Sequence, residues 1–156
     1  MLRWEQGRAV IDAMIESNRL ELVPASRDHA NELVGMADTK LVSAAALLDL
    51  GDASSAFGLA YDAARLALTA VLAAQGLRPK TSGGHLAVYE AAMAQLDPPM
   101  GGKIRPFDRL RRTRNEAQYP SFGGQELDQA DVRSDLAIAS SIVDVARPLI
   151  ETMPVY

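Results

Sequence analysis

The sequence contains no cysteine, which excludes a disulfide framework, a thiolate metal site and a cysteine nucleophile. Whatever fold forms must stand on packing. Only two histidines are present, His29 and His85. They lie far apart and lack the i, i+4 spacing of a helical metal pair, so no metal site is expected. No run reaches the roughly 18 uninterrupted apolar residues that a membrane span needs. The first ten positions carry Arg3, Glu5 and Arg8, where a secretory leader would show an apolar run. A cytoplasmic protein without membrane contact, and without a cofactor, is the expectation. Aromatic residues are scarce, and nothing groups several of them on one exposed surface. Trp4, Tyr61 and Tyr89 therefore read as core or interface residues, not as a platform for stacking bases.

Alanine and leucine abound, and apolar positions recur at three-and-four spacing almost throughout, which is the helical signature. A chain of 156 residues suits one domain, able to bury about 70% of its unfolded surface. The fold expected over 1–156 is all-α, an up-and-down bundle of five or six helices in which no strand is needed. A first helix is expected from Arg3 to about Asn18, with Trp4, Val10, Ile11, Met14 and Ile15 as its stripe. Ser26, followed by Asp28, reads as the N-cap of a second, lined by Val34, Ala37, Leu41, Ala44 and Leu48. A third, alanine-rich and central, spans about Ala53 to Gln75 and stops at Gly76. Beyond a polar loop, a fourth carries Leu86, Tyr89, Met93 and Leu96. The last, from about Asp128 to Met153, shows two apolar stripes, one through Val132, Ala139 and Ala146 and another through Ile138, Ile142 and Leu149. Burial on two sides suggests a partner subunit, hence a homodimer. Pro148 should kink this helix.

The charge is uneven. From Lys103 to Arg114 six basic residues stand against Asp108, so this window is +5 in a chain whose net charge is −4. A positive patch on an acidic protein suits an anionic ligand or an acidic partner surface. On a helix, Phe107, Leu110, Arg114 and Ala117 share one face, so Arg114 points where the core points. A buried guanidinium must meet a carboxylate or open onto a groove that an anion or a partner chain can reach. Arg105, Arg109, Arg111 and Arg112 occupy the flanking and opposite faces, either as a solvated surface or as phosphate contacts. Asp62, in a polar stripe of the third helix with Gly58, Arg65 and Thr69, is placed to pair with Arg114 or, equally well, with Arg65 at i+3.

The run Leu110–Tyr119, together with Ala60–Arg65 and the loop Gly76–His85, resembles the HEPN superfamily of small helical-bundle proteins over roughly Ala53 to Ile150. Catalytic members carry an arginine, a polar residue and, a few positions on, a histidine; two such motifs meet across a homodimer and cut RNA without metal. By that resemblance Arg114, Asn115 and Tyr119 are the candidate catalytic residues, Arg105, Arg109, Arg111 and Arg112 the candidate nucleic-acid or phosphate contacts, and Asp62, Arg65 and His85 the supporting groups. Tyr119 stands where the histidine would be. An unperturbed tyrosine titrates near 10, so it would serve as base only in a dense positive field. The alternative is a packing anchor before Pro120. His85 would be a second base if the bundle brings it near Arg114; otherwise it is a cap or surface group in the first turn of its helix, where the dipole opposes a charged imidazole. The resemblance implies RNA or nucleotide-phosphate binding, as the ribonuclease-derived, toxin-like half of a toxin–antitoxin or defence pair. The alternative is a non-catalytic interaction module that partners a nucleotidyltransferase or another acidic protein.

Overall fold

Polar residues start the long helices of this chain, Ser26 among them as expected, and a computed structural model describes residues 4–118 and 127–156. The order is α1 (Arg8–Glu16), β1 (Leu20–Leu22), α2 (Arg27–Asp49), α3 (Ala53–Gln75), β2 (Leu77–Pro79), α4 (Gly84–Leu96), α5 (Gly101–Ile104), α6 (Pro106–Gln118) and α7 (Gln129–Thr152). Ser26 accepts the His29 N–H at 3.0 Å, Asp52 that of Ser55 at 3.1 Å, and Asp128 that of Ala130 at 2.7 Å. Each such cap satisfies a donor the helix leaves unpaired and contributes about 1 kcal/mol. Gly76 ends α3 in the left-handed region, φ 85°. A Cβ there would come 2.7 Å from the Val23 carbonyl oxygen, so the turn demands glycine.

The architecture is all-α, with α2, α3 and α7 packed together as its heart. α3 is the central helix. Its Ala60, Ala63, Ala64, Ala67 and Ala70 are all buried, and their small side chains let α2 and α7 approach on two sides. By length and composition α3 could cross a membrane, yet 72% of its most apolar window is buried inside this fold. It is the core helix. α4 and α6 close the remaining side, and α1 packs on α4 and β1.

Two expectations are corrected, and one argument for a dimer is removed. Leu20–Leu22 and Leu77–Pro79 form a short antiparallel ladder, with Leu20 opposite Pro79 and Leu22 opposite Leu77. Three-residue strands carry too little alternation to be legible; this one rests on buried Leu20 and Leu77 and on Glu21, which meets Arg78 at 2.7 Å and Lys80 at 3.2 Å. The first helix begins at Arg8, not Arg3. Gly7 precedes it at φ 76°, so close to α4 that a Cβ would overlap the Ala94 carbonyl. The chain before it is anchored by Trp4, whose indole N–H donates to the Gln95 carbonyl at 3.0 Å, while Val10 faces outward. Finally, the two stripes of α7 are covered mostly from within: Val132, Ala139, Ala146, Ile142 and Val145 are all buried, and Ile138 and Leu149 half-buried, against α2 and α3. Burial of α7 on two sides needs no second chain. The helix runs through Pro148 to Thr152.

Candidate functional site

The inner face of α6 builds the site. Phe107 and Leu110 are fully buried, and Arg114, one turn further along the same face, is half-buried. Facing them from α3 is Tyr61, with no exposed surface. Its ring stacks on Phe107 (centroids 5.3 Å apart, planes 22° apart) and on His85 (5.6 Å, 25°), and Phe107 continues the stack to Tyr89 at 6.1 Å. Arg114 lies over the other part of this aromatic surface, its Cζ 5.7 Å from the Tyr61 centroid. A guanidinium so placed gains roughly 0.5–2 kcal/mol from the ring quadrupole. Among the described residues it is held by a ring, not neutralised by a charge.

The Tyr61 hydroxyl and His85 Nδ1 are 2.7 Å apart. A buried phenol must place its hydrogen on an acceptor, and among the described residues His85 is its hydrogen-bond partner. Tyr61 therefore donates and Nδ1 accepts. That fixes the imidazole proton on Nε2 as long as the ring is neutral. Burial pushes the Tyr61 hydroxyl up to about 12, only partly opposed by Arg114 and Arg65. Burial, then the positive charges of Arg65 and Arg114, hold His85 below its usual value of 6.5. At neutral pH the pair is thus an uncharged phenol and an uncharged imidazole between two cations.

The pairing of Asp62 with Arg114 is not formed. Asp62 sits beside Arg65, one turn along its own helix, with Oδ1 and Nε 4.0 Å apart. That exceeds hydrogen-bond reach, and the buried Arg65 Nε has no hydrogen-bond partner among the described residues. Arg114 likewise has no carboxylate partner among them. The other arginines differ. Arg105 meets Asp97 at 3.1 Å, Arg109 meets buried Asp135 of α7 at 2.9 Å, and Arg112 meets Asp108 at 3.0 Å. Arg111 donates to Asp108 from Nη2 at 2.8 Å and from Nε at 3.1 Å. On this outer side Arg105, Arg109 and Arg112 join Tyr89 and Asp108 in lining an open cleft of about 530 Å³. Asn115 is exposed on α6. Tyr119 lies outside the described residues. Among those described, no three His, Asp or Glu side chains converge as metal ligands would.

The structure therefore brings Arg114, Arg65, Asp62 and His85 to one place around Tyr61, and leaves Arg105, Arg109 and Arg112 on the opposite side of α6. Sequence reasoning did not anticipate Tyr61 as the hub. The available signal was its spacing from Arg65: residues four apart share a helix face, so an aromatic ring and a cation were already stacked on α3 beneath whatever α6 presented. The HEPN domain family profile matches residues 30–151, more than three quarters of the chain. No curated protein and no solved structure matches it.

Proposed function

The chain belongs to the HEPN domain family, and we propose that it binds the phosphate of RNA or of a nucleotide at the cluster of Arg114, Arg65 and His85 around Tyr61. One observation carries this reading: Arg114 is a half-buried cation supported by an aromatic ring, with no carboxylate partner among the described residues. An uncompensated guanidinium at this depth is stabilised by an incoming anion more than a paired one is, because no existing ion pair has to be broken first. In this reading the protein acts in the cytoplasm as a homodimer, as the toxin-like member of a toxin–antitoxin or defence pair. If it cleaves RNA, the reaction is metal-independent, with Arg114 on the scissile phosphate and Asn115 and Tyr119 as the further candidate catalytic residues.

The test is RNA affinity across a salt series. Binding whose logarithm falls linearly with that of the salt concentration, and which Arg114→Ala weakens about tenfold, supports the proposal. Affinity untouched by that substitution refutes it. A second reading, a module that docks an acidic protein such as a nucleotidyltransferase, draws on the outer cleft, where exposed guanidiniums alternate with carboxylates. Salt-insensitive behaviour with stoichiometric co-purification of a protein would favour it. Cleavage itself is read by comparing Tyr119→Phe with the unaltered chain on an RNA panel; equal rates exclude that hydroxyl from the chemistry.

A further inference from the structure

The hydrogen bond between Tyr61 and His85 spans two helices, α3 and α4, and it holds only while α4 keeps its place along its own axis. Packing restrains such sliding weakly, because the buried face of α4 is built largely from Gly84, Ala87, Ala91 and Ala92, which interlock little with their neighbours. Other contacts must fix it. They come from residues 4–22, which lie outside the residues 30–151 matched by the family profile. Resting on the reading just given for His85, we propose that this N-terminal unit, Trp4 to Leu22, is a positioning element: it grips α4 at both ends and so sets His85 against Tyr61.

At the C-terminal end of α4 the Trp4 indole N–H donates to the Gln95 carbonyl at 3.0 Å, and Gly7 lies so close that a Cβ would overlap the Ala94 carbonyl. Gln95 is also tied to α3, through reciprocal amide bonds with buried Gln75 at 2.9 and 2.8 Å. At the other end β1 pairs with β2, which leads into the turn before α4. There the Arg19 carbonyl accepts the Lys80 N–H at 3.2 Å, Glu21 meets the Lys80 ammonium at 3.2 Å, and the Arg19 guanidinium reaches across to Glu90 on α4 itself. His85 stands between Lys80 and Glu90 in the chain, so both anchors of this end flank it. The unit is braced in turn by Tyr156, whose hydroxyl donates to Asp12, whose ring lies 5.2 Å below the Arg8 guanidinium, and whose backbone N–H donates to the Gln75 carbonyl at 2.9 Å. A shift of the unit is therefore a shift of α4 relative to Tyr61. A displacement of about an ångström is enough to break a hydrogen bond.

Two glycines provide the test. Gly7→Ala and Gly51→Ala each place an alanine in the left-handed region, at φ 76° and 87°, and share that backbone strain. Only the first drives a Cβ into α4; at Gly51 the nearest atom is the Gln129 side-chain nitrogen at 3.5 Å. The ring resonances of His85 are followed by NMR in the full chain at about pH 8, where an imidazole is neutral, with His29→Gln supplying the assignment and exposed His29 as internal control. Tyr61→Phe gives the reference position for a His85 that has lost its partner. Gly7→Ala should move the His85 ring nitrogens towards that reference, away from the pure Nε2–H form that the Tyr61 hydroxyl imposes, whereas Gly51→Ala should leave them in place and His29 should stay still in both. RNA affinity should fall in Gly7→Ala by about three- to tenfold, the equivalent of one hydrogen bond. Should Gly7→Ala not fold, Trp4→Phe, which keeps a ring and loses the N–H, carries the same expectation at smaller amplitude. His85 resonances unmoved by both variants, or moved equally by Gly51→Ala, overturn the proposal. A His85 that shifts while RNA affinity stays constant upholds the positioning role and takes His85 out of the phosphate site. RNA affinity unchanged in Arg114→Ala removes that site altogether, without touching the link from Gly7 to His85.

Discussion

The two faces of α6 carry the same residue type in opposite electrostatic states. On the outer side Arg105, immediately before the helix, and Arg109 and Arg112 on it each meet a carboxylate, supplied respectively by Asp97, α7 and the helix itself. On the inner face Arg114 rests on the Tyr61 ring beside a neutral imidazole. Paired surface arginines contribute little to stability and have little reason to exchange a carboxylate for a phosphate. Arg114, half-buried and without such a partner among the described residues, has more to gain from an anion than from water. The number of arginines is therefore a poor guide to the site, and their pairing a good one.

The contrast can be broken or sharpened in order of expected effect. Phe107→Ala removes the ring that supports Tyr61 from below and should cost about 3–5 kcal/mol in urea unfolding; a loss under about 1 kcal/mol would mean the aromatic stack is not what positions the inner face. Arg109→Ala leaves buried Asp135 without its cation, and a loss of about 2 kcal/mol is expected, less than for a fully enclosed pair because the guanidinium is half in water. Adding Asp135→Asn should recover part of it, and a purely additive double variant would show the two do not act as a pair. Arg114→Ala should reduce anion affinity about tenfold while moving stability by less than about 1 kcal/mol. The reverse outcome, a destabilised protein with intact binding, would turn the inner arginine into a structural one. Arg112→Ala, more exposed and sharing Asp108 with Arg111, should stay within about 0.5 kcal/mol and twofold in affinity.

A pH series separates the faces in another way. Because the His85 pKa is depressed in the folded chain, the unfolded state binds its proton first on acidification. Its contribution is fully present above pH 6.5 and is lost as pH falls from there through the folded value. His85→Gln should flatten the stability profile in that window, whereas the outer arginines, charged throughout, should leave its slope unchanged. A slope that survives His85→Gln would assign it to other groups.

Much of the scaffold was legible because its signals are local. The Ser26 cap, the Gly76 stop and the apolar face of α2 each depend on residues within a turn or two, and periodicity reads such patterns directly. The spacing of Phe107, Leu110 and Arg114 likewise put a cation on the core side of α6. The shortfalls are all non-local. The β1–β2 ladder brings together residues as far apart as Glu21 and Arg78, 57 positions along the chain. The start of α1 depends on how closely Gly7 approaches α4, and the partner of Asp62 on which neighbouring helix presents its arginine within reach.

By itself, then, the sequence determined the helical class, the approximate helix limits and the direction in which Arg114 points, since backbone propensity, capping and a 3.6-residue repeat act over a few residues. Only the tertiary structure decided which cations are neutralised, that the hydroxyl of Tyr61 reaches His85, and that α7 is buried on two sides by its own chain. Those outcomes depend on distances between helices, and an ion pair or a hydrogen bond changes from formed to absent over an ångström that no linear pattern records.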